Sequence, residues 1–222
     1  MESIEPIIKV ENLSKTFAGR SGVNKEALKN VSFEVYEGDT LGIVGESGSG
    51  KSTIARLIAG LIPPTSGHIY IDGKESKGIP EGVQMVFQNP LESFNPRKTI
   101  GYSVTEGLRN KSASLEDAKE IIMMIFDQCG LPRELFDKYP HQLSGGQCQR
   151  AAIARALSMD PKILICDEAT SALDVTVQKT IIEVLDKLRA ERGLTILFIC
   201  HNLSLVKLFC NKQIVVVDGK IE

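Results

Sequence analysis

Short apolar runs alternate with longer segments of helical period along most of the chain. Residues 7–10 and 27–36 read as strands, and the polar, glycine-containing stretch 18–25 (AGRSGVNK) reads as a hairpin loop. Residues 41–44 (LGIV) form an apolar strand that ends in glycine. A helix follows over 52–61, stopped by Pro63 and Pro64. Residues 68–71 and 83–87 are further strands. Between 100 and 139 helical periods dominate, as in 115–129, where Ile121, Ile122, Ile125 and Phe126 recur. That block reads as a helical subdomain inserted into an α/β core. The core pattern then returns, with helices over 147–158, 175–189 and 203–209 and strands over 163–166, 194–199 and 214–217. Strands alternating with helices imply a largely parallel sheet covered on both faces.

Composition narrows the picture. A chain of 222 residues has room for one α/β domain with a small helical insertion. Hydrophobic residues make up 42%, which suits a packed globule. Lys and Arg number 26 against 28 Asp and Glu, so the basic excess of a nucleic-acid binder is missing. The five cysteines are odd in number and contain no CxxC pair, which speaks against a disulfide framework or a paired-thiolate zinc site. They read as small buried hydrophobes in a reducing compartment. The opening MESIEPIIKV lacks a signal-peptide pattern, and runs such as TILFIC and LIAGLI are too short to span a bilayer. A link to a membrane is therefore expected to go through a partner protein.

Three segments carry chemistry. Gly45-Glu46-Ser47-Gly48-Ser49-Gly50-Lys51-Ser52 fits GxxxxGK[ST] between a strand and a helix. Glycines let successive N–H groups face one concave space, and the helix adds its own free N–H groups and positive dipole end. Lys51 supplies a mobile charge for β and γ phosphates, and the Ser52 hydroxyl is placed for Mg²⁺. Asp167 and Glu168 close an apolar strand, at the sheet end where chemistry gathers in open parallel sheets. Asp167 reads as the Mg²⁺ contact and Glu168 as the group that polarises an attacking water. The alternative is a solvent-facing acid pair at a strand end. Ser144, Gly145, Gly146 and Gln147 open a long helix with Ser144 as N-cap, which is either a second anion site or only a capped helix.

The LSGGQ of 143–147 together with the P-loop resembles the signature of ABC ATPases, and the resemblance runs over nearly the whole chain. It implies a P-loop NTPase core with a mostly parallel sheet, an N-terminal antiparallel β-subdomain and a helical signature subdomain. In residues, that is 1–98 and 147–222 for the core and β part, and 99–146 for the helical part. It implies ATP and Mg²⁺ as cofactors, with the phosphate-binding set extended to Thr53. Ser144, Gly145, Gly146 and Gln147 would contact the γ-phosphate of ATP on a second subunit, in a head-to-tail homo- or heterodimer holding two ATPs. Cys148 departs from the usual polar residue after the motif, one step outside the phosphate-facing segment. Gln88 matches the Q-loop glutamine that senses Mg²⁺ and the attacking water, and His201 matches the switch histidine of the γ-phosphate. Ser171 to Asp174 match the D-loop, which meets the opposite subunit. Phe17 resembles the aromatic that stacks on adenine, with a place in the strand core as the alternative.

The stretches 89–101 and 170–178, with Glu46 and Ser47 of the P-loop, resemble oligopeptide, dipeptide and nickel importers in particular. The expected function is the ATP-hydrolysing motor of such an importer at the cytoplasmic face of a prokaryotic membrane. Its partners would be permease subunits and, indirectly, a solute-binding protein, with no nucleic acid. Many relatives continue into a substrate-linked tail, whereas this sequence stops at Glu222, as a truncated or a naturally short form. A soluble ABC ATPase acting on nucleic acid or ribosomes is the alternative, and its known forms carry long coiled coils or paired domains. A small-molecule P-loop kinase would lack 143–147.

Overall fold

The computed structural model describes residues 5–18, 24–169 and 174–222. Its centre is a six-stranded sheet in the order β10-β9-β3-β8-β7-β6. Strands β3 (Thr40–Val44), β7 (Ile163–Asp167) and β8 (Thr195–Ile199) are buried at every position, as strands covered on both faces must be. They pair in parallel with one another and with the flanking β6 (Val83–Val86) and β9 (Lys212–Val217). The short β10 (Lys220–Ile221) is antiparallel to β9.

The two-residue period of these strands divides the core in two. Ile163, Ile165, Leu197 and Ile199 face one cluster, and Leu164, Cys166, Ile196 and Phe198 face the other. The first cluster holds helix α1 (Lys51–Ile58), through Ile54, Leu57 and Ile58, and the inner face of a second sheet. That sheet is antiparallel, ordered β2-β1-β4-β5, from β1 (Ile8–Phe17), β2 (Lys25–Val35), β4 (Ser66–Ile71) and β5 (Lys74–Glu75). The second cluster joins the opposite sheet face to α2 (Ile100–Asn110), α3 (Leu115–Gln128), α4 (Gly145–Leu157), α5 (Val175–Arg192) and α6 (Leu203–Phe209). Side chains define the helix starts: Thr99 accepts from Tyr102 N–H, Ser114 from Asp117 N–H and Asn202 from Ser204 N–H.

The expected elements are present, with shifted ends. The helix expected to run to the prolines stops at Ile58, because Gly60 turns left-handed at φ 69° before they are reached. Strand β1 runs on through polar positions to Phe17, since it pairs with β2 on one side and β4 on the other. Helix α4 starts two residues early, at Gly145, and α5 runs to Arg192, closed by Gly193 at φ 65°. The hairpin loop read over 18–25 lies partly outside the described residues, at 19–23.

The entries of β3 and β9 are tied by Asp39, whose side chain is one-tenth exposed. It accepts from Tyr36 N–H at 2.8 Å, Asn211 Nδ2 at 3.1 Å and Lys212 Nζ at 2.7 Å. Burial raises this carboxyl, but the bonds from Lys212, Tyr36 and Asn211 outweigh it and hold the group below its ordinary range. A depressed carboxyl stabilises the fold above the unfolded value and loses that effect as pH falls through the folded value. Asp39→Asn is expected to cost about 1–3 kcal/mol at pH 7 by urea unfolding, because charged hydrogen bonds are lost from a buried site. The difference from wild type is expected to shrink as the pH falls from the ordinary carboxylate range through the lower folded value, where the native carboxylate takes up its proton.

Candidate nucleotide site

The carboxyl end of β3 and the start of α1 are joined by Gly45 to Gly50. Two glycines make this path possible. Gly45 has φ 151°, and a Cβ there would strike the backbone oxygen of Val216 on β9. Gly50 has φ 118°, and a Cβ would lie 2.7 Å from the Ala27 oxygen and 2.8 Å from Leu28 Cδ2 on β2. The loop is thus wedged between the two sheets. Gly50 caps α1 without a side chain, so the first turn presents backbone N–H groups alone. Ser49 Oγ is buried and has no hydrogen-bond partner.

Lys51 is only 4% exposed, and its ammonium donates to Gly45 O at 2.8 Å and Glu46 O at 2.6 Å. Among the described residues no carboxylate lies within ion-pair distance of it. Next along the helix, Ser52 Oγ donates to Asp167 Oδ1 at 2.8 Å. Asp167 is 4% exposed, and its burial pushes the carboxyl above the ordinary range, against the opposing Ser52 bond. Glu168 turns left-handed at φ 47° while its N–H still reaches Ile199 O at 3.0 Å. Its Oε2 accepts from Gln88 Nε2 at 2.8 Å, just beyond the end of β6. The P-loop, both acids and Gln88 therefore come together at the carboxyl ends of β3, β7 and β6.

His201 follows β8, is exposed, and shares a cleft of about 620 Å³ with Glu46, Ser47, Gly48, Ser49 and Leu203. A larger cleft of about 820 Å³ lies at the amino ends of β6 and β7, away from all of these groups. Phe17 is 41% exposed at the end of β1, so it is no core residue, and Lys15 Nζ stands 5.2 Å over its ring.

The start of α4 stands apart from the P-loop cluster. Ser144 Oγ accepts from Gln147 N–H at 3.3 Å, and Gln147 Oε1 accepts from Ser144 N–H at 2.9 Å, a reciprocal cap. Gly145 leaves its part of the helix end exposed and without a side chain, whereas Gly146 is buried. Gly146 also admits α5, because a Cβ there would lie 2.6 Å from Val177 Cγ1. Asp174 caps α5 through Val177 N–H at 3.0 Å. Among the described residues, neither Ser144–Gln147 nor Asp174 hydrogen-bonds the P-loop cluster. Of the D-loop match, 171–173 lie outside the described residues, as does Thr170.

Sequence reasoning missed two features. The left-handed turn at Glu168 has no signal in an acidic pair. Arg155 of α4, which donates from Nη1 to Ser93 O at 2.6 Å, shows only as the second of two cations in the run RAAIARAL.

A family model described as ABC transporter matches residues 28–171, well over half of the chain. This chain belongs to that family. It is 44% identical to the oligopeptide transport ATP-binding protein OppF of Escherichia coli over 204 residues, covering 87% of this chain and 61% of the relative. It is 41% identical to OppF of Streptococcus pyogenes serotype M1 over 228 residues, covering 98% and 74%. The chain therefore spans about three fifths of the length of the first of these relatives. Among solved structures, the dimeric post-hydrolysis state of the ATP-binding cassette MJ0796 bound to ADP and Pi superposes with TM-score 0.87 at 32% identity, covering 97% of this chain and 96% of that one. The cbiO1 structure from Clostridium perfringens, part of the ABC transporter complex cbiONQ, gives TM-score 0.87 at 30% identity over 98% of this chain and 87% of that one. The expected ABC ATPase fold is thereby shown.

Steric closure at Gly50 is testable without any ligand. Gly50→Ala is expected to lower unfolding stability by well over about 1 kcal/mol, since strain at positive φ adds to collision with β2. Gly193→Ala, at φ 65° with open space around it, is expected to cost only about 1 kcal/mol. Denaturant titrations of the two variants check the order.

Proposed function

We propose that this chain is the ATP-binding and ATP-hydrolysing subunit of an ABC importer, with peptides as the cargo class. The observation that carries the reading is the convergence of Lys51, the Ser52–Asp167 pair and the Gln88–Glu168 pair at one end of the sheet. The printed names of the OppF relatives favour peptide over nickel as cargo.

The P-loop N–H groups and Lys51 bind the β and γ phosphates of ATP, and exchange of the Lys51 ammonium from carbonyls to phosphate supplies the missing counter-charge. The orphaned Ser49 hydroxyl fits a phosphate oxygen. Ser52 Oγ and the Asp167 carboxylate are the hard oxygen donors that would hold a magnesium ion, with Gln88 nearby. Among the described residues no cluster of three His, Cys, Asp or Glu exists, which fits an ion carried mainly by phosphate and water. When bound, the ion neutralises charge on the phosphate oxygens. Glu168 orients the attacking water and accepts its proton as the new bond forms at the γ-phosphorus and the bond to the β–γ bridging oxygen breaks, leaving ADP and phosphate. His201 contacts the γ-phosphate, and Phe17 stacks its open face on the adenine.

Residues Ser144 to Gln147 would face the γ-phosphate of ATP held by a second subunit, with Asp174 beside that junction. The exposed helix end at Ser144 and Gly145 supports this reading, as does the dimeric MJ0796 cassette. ATP then favours the closed pair because its γ-phosphate bridges both subunits, and hydrolysis removes that preference. In this reading 99–146 is the helical part that answers to permease subunits, while 1–98 and 147–222 hold the nucleotide. Among the described residues no helix is long and apolar enough to cross a membrane. A peripheral place at the cytoplasmic face, attached through permease subunits that receive cargo from a solute-binding protein, follows from the importer reading.

Purified protein is expected to bind ATP in a magnesium-dependent manner, and Lys51→Ala to abolish that binding. Glu168→Gln is expected to keep nucleotide affinity within a few-fold while lowering phosphate release by about a hundredfold or more. Unchanged ATP affinity in Lys51→Ala, or full turnover in Glu168→Gln, contradicts the assignment.

A further inference from the structure

We propose that Arg155 is a positioning residue for hydrolysis, fastening the segment after Gln88 to the helix that begins at Ser144, so that the two motifs move together. The inference rests on the ATPase reading above and assigns a role to a residue outside every motif already described.

The link is built from three stiff pieces. At one end Gln88 holds Glu168 at 2.8 Å. After it the chain folds into a compact 3₁₀ turn, Leu91–Ser93, closed on itself. Ser93 N–H reaches Pro90 O at 3.1 Å, Ser93 Oγ reaches the same oxygen at 2.7 Å, and Phe94 N–H reaches Leu91 O at 3.3 Å. At the other end, the Arg155 guanidinium donates to Ser93 O at 2.6 Å and lies 4.7 Å over the Phe94 ring. Phe94 is 3% exposed and belongs to the same cluster as Ile153 and Leu157 of α4. The turn is therefore anchored on α4. Helix α4 runs unbroken over Gly145–Leu157, so a displacement at Ser144 is carried along a rod of about 1.5 Å per residue to Arg155.

The chemistry favours arginine for this task. A guanidinium is planar and permanently charged, so one group donates in its plane and stacks on its face at the same time. An ammonium can touch a carbonyl and a ring, as Lys15 does with Pro63 O and Phe17, but it lacks the rigid plane that fixes the two contacts relative to each other. Among the described residues no carboxylate lies within ion-pair distance of Arg155; Glu106 of α2 acts on it from further away, and the carbonyl and the ring supply its direct contacts. A half-buried cation satisfied in this way favours one geometry of its partners, because slippage leaves it poorly paired. With Gln88 joined to Glu168 and the following turn joined to α4, movement of the signature helix is delivered to the carboxylate that handles the water.

The test is steady-state ATP hydrolysis and MANT-ATP binding on Arg155→Met, Arg155→Lys and Phe94→Leu, each alone and with Gln88→Ala. Arg155→Met is expected to lower kcat by about tenfold or more while KM and MANT-ATP affinity change less than about threefold. Phe94→Leu and Arg155→Lys are expected to fall between it and wild type. In the Gln88→Ala background each is expected to lower kcat by less than about twofold further, because the residue acts through Gln88. A plain packing role predicts the same fold-loss in both backgrounds, and that result overturns the proposal, as does wild-type kcat in the single variants. Arg155→Lys, which keeps length and charge, decides the question should the other two not fold. Wild-type turnover with unaffected variants removes only the role of Arg155, whereas absence of hydrolysis in the wild-type chain removes the ATPase reading and this inference with it.

Discussion

Lys51 is held in the interior with two backbone carbonyls as its hydrogen-bond acceptors. Taking an ammonium out of water costs several kcal/mol, and neutral dipoles offset that only in part. The loop accepts the charge because its ends are set by glycines that no other residue could replace: Gly45 against β9 and Gly50 against β2. Both neighbours are strands, so the shape of the loop is dictated by the distance between two sheets, which the buried residues of α1 maintain. The fold thus spends its central packing on keeping one cation underpaired next to a helix end that is itself uncapped. Such a place is a standing demand for an anion.

Much of this was legible in the sequence. The apolar runs at 41–44, 163–166 and 194–199 announced the central strands because burial on both faces leaves no room for polar positions. The P-loop and the acids at 167–168 were legible because glycine, lysine and carboxylate chemistry is carried by residue identity. Ser144 was legible as a cap for the same reason. Less visible were features set by partners distant in the chain. Strand β1 continues to Phe17 because β2 pairs with it that far, beyond the end of its pairing with β4 at Ser14, and the polar residues 14–16 do not reveal this. The end of α1 was misplaced because two prolines drew the boundary, whereas Gly60 stops the helix first. Arg155 was invisible because its acceptor is a backbone oxygen, which every residue possesses.

Glu168 shows how the fold separates two adjacent carboxylates that residue type alone makes equivalent. Asp167 completes the strand, lies deep, and takes its bond from Ser52. One residue later the backbone leaves the extended region for φ 47°, a conformation that costs a non-glycine residue about 1 kcal/mol or more. The amide still pairs with Ile199, so the sheet register survives the turn and the strain is confined to one residue. The result is a carboxylate set apart from Asp167 and held by Gln88 from a neighbouring strand. The proposed roles, one acid meeting water and the other facing a cation, need different surroundings, and a single strained residue provides them.

Residues that act on one phosphate chain are here divided between two bodies of packing. The P-loop is braced by the cluster under the antiparallel sheet, and the signature helix by the cluster that joins α2 and α3 to the opposite face. The central sheet contributes alternate side chains to both, one cluster packing α1 and the other α2 to α6, so a shift of either is felt through the sheet. Glu168 directly follows a strand shared by the two, and Gln88 reaches it from just beyond the edge strand. The joint between the bodies therefore passes through Gln88 and Glu168, the side chains proposed to handle water. In a chain built this way, geometry at the reacting phosphate depends on how the two clusters sit on one sheet, and residues far from any ligand gain control over turnover.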